Sequence, residues 1–305
     1  MREVITRDVE HVSRVLLNGG IAGIPTETVY GLAADALNQD AVLRVFQVKG
    51  RPTHHPLIIH LHATEDMERW GVFNAHARSL CDAFCPGPFT LLVPRTPLVP
   101  DWVTGGRNSV AIRFPSHQTA QDLLENVGTG LVAPSANKFG QVSPTTAQHV
   151  LQDLGEEVDI ILDGGSCEIG VESTIVECIN ESVQVLRPGA VTSSQIAEHL
   201  QLPVQLTTGE SRAPGMMLAH YAPKAKVVLV ETAEEAENQI AVLRDAGHAV
   251  TMLFFPDTQQ YAINLYDALR NADLLGVAYI VALLPEPSGL GIAIRDRLSK
   301  AAATS

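Results

Sequence analysis

The chain has 305 residues and a net charge of -13, with 46% hydrophobic and 18% charged residues. This length suits two folded domains, and the composition is that of a globular protein. The acidic balance argues against a protein that coats nucleic acid through a broad basic surface, although it permits a local basic pocket. No run of apolar residues is long enough to span a membrane. The charged start MREVITRDVE lacks the hydrophobic region of a signal peptide. We therefore expect a soluble, cytoplasmic protein without a membrane partner.

The four cysteines give no sign of a metal site. Cys81, Cys85, Cys167 and Cys178 form no C-x-x-C pair and no Cys/His cluster with zinc spacing. We predict reduced, mostly buried thiols. Cys167 is singled out because it lies in a glycine-rich loop.

Helical and strand patterns alternate over the first two thirds of the chain. Helices are predicted for VEHVSRVLLNGG, QDAVLRVFQVKG, HQTAQDLLENVG, TAQHVLQDLG and VTSSQIAEHLQ. Strands are predicted for IAGIPT, PLIIHL, FTLLVP, SVAIRF, GLVAPS, VDIILD, STIVEC and SVQVLRPG. The last of these strands follow one another directly, so we predict a mixed sheet rather than a purely parallel one.

The last part of the chain repeats strand and helix three times, which predicts a small parallel α/β domain. Before it, the stretch PVQLTTGESRAPGMMLAHYAPKA has little periodicity and is either a linker or a functional loop. We divide the chain into a first domain at 1–205, a linker at 206–223 and a second domain at 224–305. Neither half is basic, with net charges of -10 for residues 1–205 and -3 for the remainder.

The stretch KGRPTHHPLIIH places two cations at a stiff junction. Lys49 and Arg51 end a helical pattern, and Pro52 and Pro56 restrict the backbone that follows. A fixed Lys and a forked Arg are better suited to binding a polyphosphate than to lying on a solvated surface. His60 ends an apolar strand, where a histidine is more often a hydrogen-bonded core residue than a ligand.

Two further stretches follow predicted strands or lie within them. PTETVYGLAAD comes after a buried strand, where ligands bind in α/β sheets, although a polar turn explains it equally well. In SVAIRFPSH, Arg113 lies within a strand and needs an anionic partner. That partner is either a structural Asp or Glu, which is the usual case, or a substrate carboxylate.

In APSANKFGQVSPTTAQHV, a strand delivers Ser135 and Asn137 into a loop, and Ser143 with Pro144 is predicted to begin a helix. In GVESTIVE and VLRPGAV, Ser173 opens one strand and Arg187 closes the next, which a plain hairpin also explains. The sequence lacks both G-x-x-x-x-G-K-[ST] and G-x-G-x-x-G after a strand, so a bound nucleotide would not use a standard phosphate loop.

The order of these stretches is more specific than any one of them. PTETVYGL, KGRP with PLIIH, PGPFTLLV, SVAIRFPSH, APSAN with SPTTA, GVESTIV and LRPGAV together resemble the YrdC-like family of threonylcarbamoyl-AMP synthases. The stretches APGMMLAHYAPKA and GLGIAIRDRLSKAA resemble the linker and tail of the two-domain form. This resemblance implies an α/β protein with a twisted mixed sheet and flanking helices, followed by a small three-layer Rossmann-like domain.

The resemblance also implies an activity. Such enzymes convert L-threonine, bicarbonate and ATP, which arrives with Mg²⁺, into threonylcarbamoyl-AMP and pyrophosphate by nucleotidyl transfer. This is the first step of threonylcarbamoyladenosine formation at tRNA position 37. A transient contact with tRNA or with the downstream transferase is left open.

By the same resemblance, two sets of residues surround the substrates, and Lys49 and Arg51 carry the catalysis. The ATP set is Lys49, Arg51, His55, Ser109, Ser135, Asn137, Ser143, Arg187 and Tyr221. The threonine set is Thr28, His60, Arg113, Ala133 and Ser173. Tyr221 is expected to close over the site as a lid. No resident metal site is expected.

Three positions depart from the family pattern: His55 replaces a common Asn, Phe139 a usual Ser, and Ala33 a common Gly. His55 is therefore the least secure of the predicted nucleotide contacts. Two rival functions are an RNA-binding module and another carbamoyl-transfer enzyme such as a hydrogenase-maturation factor. The acidic first domain speaks against the former, and the lack of C-x-x-C pairs against the latter.

Overall fold

The structure is a computed structural model that describes residues 4–180, 182–207 and 221–303. Most of the predicted linker, at 208–220, lies outside the described residues. Among those described, no helix is long and apolar enough to cross a membrane.

A single twisted sheet organises the first part of the chain, and its described strands number 11. These strands are β1 Ile5–Thr6, β2 Ala22–Ile24, β3 Gly31–Asp35, β4 Ile58–His60, β5 Phe89–Pro94, β6 Ser109–Arg113, β7 Leu131–Val132, β8 Ile160–Leu162, β9 Thr174–Glu177, β10 Gln184–Arg187 and β11 Gln205–Leu206. They lie side by side in the order β1-β8-β2-β3-β7-β4-β6-β5-β9-β10-β11. β4 and β6 are parallel, whereas β5 and β6 are antiparallel. The predicted mixed sheet is confirmed.

Helices cover this sheet, and five of the eight that the structure describes here begin at a residue whose side chain caps the first turn. They are α1 Val9–Leu17, α2 Gln39–Lys49, α3 Met67–Trp70, α4 Ala75–Phe84, α5 Asp101–Thr104, α6 Gln118–Val127, α7 Ala147–Leu154 and α8 Ser193–Leu200. In α2, the Asn38 side chain caps the first turn, and Gly50 ends the helix at φ 64°. This left-handed residue turns the chain so that Lys49 and Arg51 leave the helix end at a fixed angle.

The helix predicted to have Ser143 as its N-cap begins three residues later. Thr146 is the N-cap of α7, and its side chain accepts a hydrogen bond from His149 N. The Ser143 side chain instead donates to Glu172. That bond, rather than helix capping, decides the position of Ser143.

The second part of the chain is a three-layer α/β unit. Its parallel sheet has the order β12-β14-β13. Its elements are β12 Lys226–Val230, α9 Ala233–Asp245, β13 Val250–Leu253, α10 Thr258–Leu274, β14 Tyr279–Leu283 and α11 Gly291–Ala302. Val281 packs with Val230 and Ala236 on the α9 side of the sheet, whereas Ile280 and Ala282 pack towards α10 and α11. This alternation confirms the predicted layers.

The two parts share a hydrophobic cluster. Val29, Val142 and Val171 from the first part pack with Tyr261 and Leu265 of α10. The second unit therefore lies directly against the loops that precede β3 and β9 and the loop that follows β7.

The four cysteines are free thiols, and three of them are buried. Burial raises the pKa of Cys167, the thiol singled out from the sequence. A buried thiol with a raised pKa is a poor nucleophile, so Cys167 is a packing residue.

Candidate active site

The predicted site residues converge on one edge of the central sheet. The carboxyl ends of β4, β6 and β10 and the start of β9 meet there, as the strand pairing shows. They enclose a cavity of about 50 Å³. Its lining residues are Val29, Arg51, Ile58, His60, Arg113, Ala133, Pro134, Ser135, Glu172, Arg187 and Tyr221.

Arg113 has a structural carboxylate partner, which is one of the two alternatives that the sequence left open. It is 4% exposed, and its Nη2 donates to Glu27 Oε1 and to Thr28 Oγ1, each at 2.8 Å. Its Nε is buried and has no hydrogen-bond partner. A buried guanidinium with an unsatisfied donor at a cavity is suited to bind an anion as well as its structural Glu.

His60 lies beside Arg113 because the parallel strands β4 and β6 pair these two residues in register. Its Nδ1 is 3.3 Å from the carbonyl oxygen of Ile58. Burial, with the nearby charge of Arg113, lowers the pKa of His60 to about 3. The imidazole is therefore neutral at physiological pH.

Arg187 lines the cavity and is bonded to the buried Ser173. Arg187 Nε and Nη2 donate to the carbonyl oxygen of Ser173, at 3.1 and 2.9 Å, and Nη2 also donates to Ser173 Oγ at 3.1 Å. The Ser173 hydroxyl also lies 2.7 Å from Thr90 Oγ1. Burial lowers the pKa of Arg187. These bonds fix the guanidinium on the wall of the cavity.

Lys49 lies behind the cavity lining and pins the loop that contains Ser135 and Asn137. Its Nζ donates to the carbonyl oxygens of Ser135, at 2.5 Å, and Asn137, at 2.6 Å. Burial, and then the charge of Arg51, lowers the pKa of Lys49 well below its usual value. Asn137 is buried, and its Oδ1 has no hydrogen-bond partner.

Arg51 contacts Phe139, which in turn contacts His55, and both of these residues depart from the family pattern. Its guanidinium lies over the Phe139 ring, 5.7 Å from the centroid, and the His55 ring meets Phe139 edge-on at 5.6 Å. Arg51 Nε is buried without a hydrogen-bond partner. Burial lowers the pKa of Arg51 to about 10 and, with the charge of Arg51, that of His55 to about 4. At neutral pH Arg51 is charged and His55 is not.

Of the predicted nucleotide residues, those that do not line the cavity are Lys49, His55, Ser109, Asn137 and Ser143. Ser109 begins β6, four positions before Arg113, which is about 13 Å along an extended strand. Ser143 is fully buried, and its hydroxyl donates to Glu172 Oε1 at 2.7 Å. Both stay predictions for the state that contains ATP.

Tyr221 lines the cavity from the side of the second unit. It is 1% exposed, has a left-handed φ of 64° and stacks on Tyr266 at 5.7 Å between ring centroids. The guanidinium of Arg297 lies 5.3 Å from its ring centroid. Residues 208–220 of the predicted lid lie outside the described residues.

The sequence analysis missed four residues at this site: Glu27, Glu172, Tyr266 and Arg297. Glu27 and Glu172 lie inside the quoted stretches PTETVYGL and GVESTIV, where a carboxylate within an apolar context is an available signal. Tyr266 and Arg297 carry no such signal, because the second domain was not predicted to reach the site.

The residues present fit a polyphosphate rather than a resident metal ion. Arg51, Arg113 and Arg187 face one cavity, and cations of this kind repel a bare metal. Among the residues that the structure describes, no group of three His, Cys, Asp or Glu could hold a metal ion.

Comparison with known protein families decides the classification. Residues 14–189 match the Sua5/YciO/YrdC family model, described as telomere recombination. Residues 191–303 match the model described as threonylcarbamoyl-AMP synthase, C-terminal domain. The chain belongs to the Sua5/YciO/YrdC family. The resemblance stated from the sequence is confirmed.

Relatives of this Sua5/YciO/YrdC protein match it over nearly their whole length. The threonylcarbamoyl-AMP synthase of Pyrococcus abyssi is 38% identical over 93% of this chain and 90% of its own. That of Bacillus subtilis is 36% identical over 98% and 95%. The crystal structure of P. abyssi Sua5 complexed with L-threonine superposes with a TM-score of 0.91 at 36% identity, covering 98% of this chain and 96% of that one.

A more distant match shows the fold alone. Full-length HypF superposes with a TM-score of 0.53 at 15% identity, over 59% of this chain and 28% of its own.

Proposed function

We propose that this chain is a threonylcarbamoyl-AMP synthase that joins L-threonine, bicarbonate and ATP and releases pyrophosphate. The observation that carries the proposal is the convergence of Arg51, Arg113 and Arg187 with His60 on one cavity, with the buried Ser173 bonded to Arg187. Two-domain relatives with this name, and a relative complexed with L-threonine, support it.

At the threonine end, Arg113 would bind the carboxylate through its unsatisfied Nε while Nη2 keeps Glu27. Thr28, Ala133, Ser173 and the neutral His60 would complete the pocket. Because the pKa of His60 is about 3, it is too weak a base to take a proton at neutral pH. We therefore assign His60 to positioning the amino acid.

At the nucleotide end, Arg51 and Arg187 would bind the phosphates as fixed cations. Lys49 would act by holding the loop of Ser135 and Asn137. Contacts of ATP with His55, Ser109, Ser143 and Tyr221 are part of the proposal. Mg²⁺ would enter with ATP as part of the substrate.

The chemistry needs positioning and charge neutralisation more than proton transfer. The threonine amine and bicarbonate give a carbamate and water. A carbamate oxygen then bonds to the α-phosphorus of ATP while the bond to the pyrophosphate oxygen breaks, which is a nucleotidyl transfer. The fixed guanidinium groups would stabilise the charge that develops on the leaving pyrophosphate.

ATP cannot enter the site as it stands. The cavity of about 50 Å³ is far below the roughly 300–1,000 Å³ of small-molecule pockets. Tyr221 lines it and would have to move aside for binding and return to exclude water from the labile product. This is the role that we propose for the linker residue.

The wider setting is part of the same proposal. The product would supply the modification of tRNA position 37, in the cytoplasm, with transient contact to tRNA or to the downstream transferase still open. We also propose the division into 1–205, 206–223 and 224–305.

The test is pyrophosphate release from Mg·ATP, with threonine and bicarbonate each omitted in turn. The proposal expects release that requires both. Absence of release, with no binding of ATP or threonine, would contradict it, and salt-dependent RNA affinity would then favour the binding module.

A further inference from the structure

The carboxylate of Glu172 is buried in the wall of the candidate site and is bonded from both units. Its Oε1 accepts from Ser143 Oγ at 2.7 Å. Its Oε2 accepts from Tyr266 Oη at 2.8 Å and from Arg297 Nε at 2.7 Å, and both residues belong to the second unit. Glu172 also lines the cavity and directly precedes Ser173. The second unit therefore contacts a residue of the active-site wall.

Arg297 connects two loops that flank the cavity. This residue of α11 is 1% exposed, and its Nη2 donates to the carbonyl oxygen of Pro188 at 3.0 Å. Pro188 follows Arg187, whereas Glu172 precedes Ser173. One guanidinium thus holds the segments that carry Ser173 and Arg187.

The charges explain why this contact matters. Burial alone would raise the pKa of Glu172, but the charges of Arg297 and Arg187, with the bonds from Arg297 and Ser143, hold it at about 2. Glu172 is therefore an anion beside the proposed phosphate site. A buried carboxylate that loses its partner is costly. The other cation whose charge acts on Glu172 is Arg187, which lines the same cavity, so Glu172 would then attract Arg187.

We propose that Arg297 is a positioning residue of the active site: by neutralising Glu172, it keeps the guanidinium of Arg187 directed at the substrate polyphosphate. The inference rests on the proposed function. It gives the second unit a specific task, namely the electrostatic preorganisation of a site that the first unit carries.

The test compares R297M with wild type in pyrophosphate release. Methionine keeps the apolar packing of the side chain but removes its charge and donors. We expect the KM for ATP to rise about tenfold, and the KM for threonine to stay within about threefold. The matched control is R295M, because Arg295 lies on the same helix but pairs with Glu231 at the surface of the second unit. Its KM values should equal those of wild type.

The decisive variant is R297M/E172Q. The glutamine amide keeps acceptor and donor groups for Ser143 and Tyr266 but carries no charge to attract Arg187, so the KM for ATP should return to within about threefold of wild type. An R297M enzyme with unchanged KM for ATP, or a double variant as impaired as R297M, would overturn the proposal. The latter result would mean that Arg297 acts by docking the two units.

The proposal can still be tested if the single variant R297M folds poorly. R297M leaves an uncompensated buried carboxylate, whereas R297M/E172Q does not, so the double variant should fold, as its melting temperature will show. A folded double variant whose KM for ATP is raised about tenfold contradicts the inference on its own. Wild-type release that requires threonine and bicarbonate tests the proposed function separately.

Discussion

Arg113 shows how one buried side chain can serve structure and binding together. Its Nη2 is committed to Glu27 and Thr28, while its Nε remains unsatisfied at the cavity. Removing the charge would leave Glu27 buried without its cationic partner. The activity of an alanine variant would therefore fall through loss of folding as well as through loss of binding. A lysine at this position separates the two.

For R113K, we expect the KM for threonine to rise about tenfold, because lysine keeps the charge for Glu27 but loses the forked donor. The KM for ATP should change by less than about threefold, since Arg51 and Arg187 stay in place. Initial rates of pyrophosphate release measure both constants. R95K is the control, because Arg95 pairs with Asp101 away from the cavity. A selective rise in the KM for ATP would refute the assignment of Arg113.

Phe139 and His55 depart from the family pattern separately in sequence but touch each other in the structure. Arg51, which we propose binds phosphate, lies over the Phe139 ring. Phe139, in contact with His55, therefore helps to hold Arg51 in position. We expect F139L to raise the KM for ATP about threefold to tenfold and to leave the KM for threonine nearly unchanged. F254L, at an exposed aromatic of the second unit, is the control.

The contact also predicts coupling between the two departures. In a double-mutant cycle of H55N and F139S, the effects on the KM for ATP should be non-additive by about 0.5–1 kcal/mol. Strict additivity would show that His55 and Phe139 act on ATP binding independently of each other.

At the scale of elements, the end of α2 and the loop after β7 behave as one piece. Lys49 joins them through the carbonyl oxygens of Ser135 and Asn137. We expect K49M to increase amide hydrogen exchange in residues 133–139 and to lower activity at least about tenfold, because the loop loses its anchor.

The control is K138M. Lys138 also donates to the end of α2, at the carbonyl oxygen of Val48, but from a partly exposed position. Its exchange and activity should stay close to those of wild type. Unchanged exchange in K49M would show that Lys49 serves ATP directly and not the loop.

The elements with local signals were predictable from sequence. α2 carries a capping Asn38 and a terminal Gly50, and the strands of the second unit are apolar runs between helical patterns. β3 was missed because its GLAAD follows a polar stretch that predicted a turn, and α4 was missed as well. Ser143 was misplaced because a cap-like Ser-Pro pair cannot reveal a competing carboxylate from another loop.

At the candidate site, too, some features could be predicted from the sequence and others could not. His60 and Arg113 were assigned to the threonine set through the family resemblance, whereas their own patterns predicted only that they lie on strands, which are β4 and β6. The bonds from Tyr266 and Arg297 to Glu172 join residues 94 and 125 positions apart. No periodicity or spacing encodes contacts of that range, which depend on how the two units pack.

For the whole molecule, this packing makes stability depend on pH. The pKa of Glu172 is about 2 against 4.5 for a free glutamate, so its contribution is complete above pH 4.5 and is lost as the pH falls towards 2. A shift of this size corresponds to about 3 kcal/mol. Thermal unfolding between pH 6 and 3 should therefore show a steeper loss of stability in wild type than in E172Q. E237Q, at an exposed glutamate, should follow wild type; equal slopes for E172Q and wild type would contradict the account.

The central claim is that threonine, bicarbonate and ATP react in this one cavity. The most direct measurement supplies ¹³C-labelled bicarbonate with L-threonine and Mg·ATP and analyses the products by mass spectrometry. The account predicts threonylcarbamoyl-AMP with one heavy carbon, formed one-to-one with pyrophosphate. Release of ADP and phosphate, or an adenylated product without the heavy carbon, would contradict it.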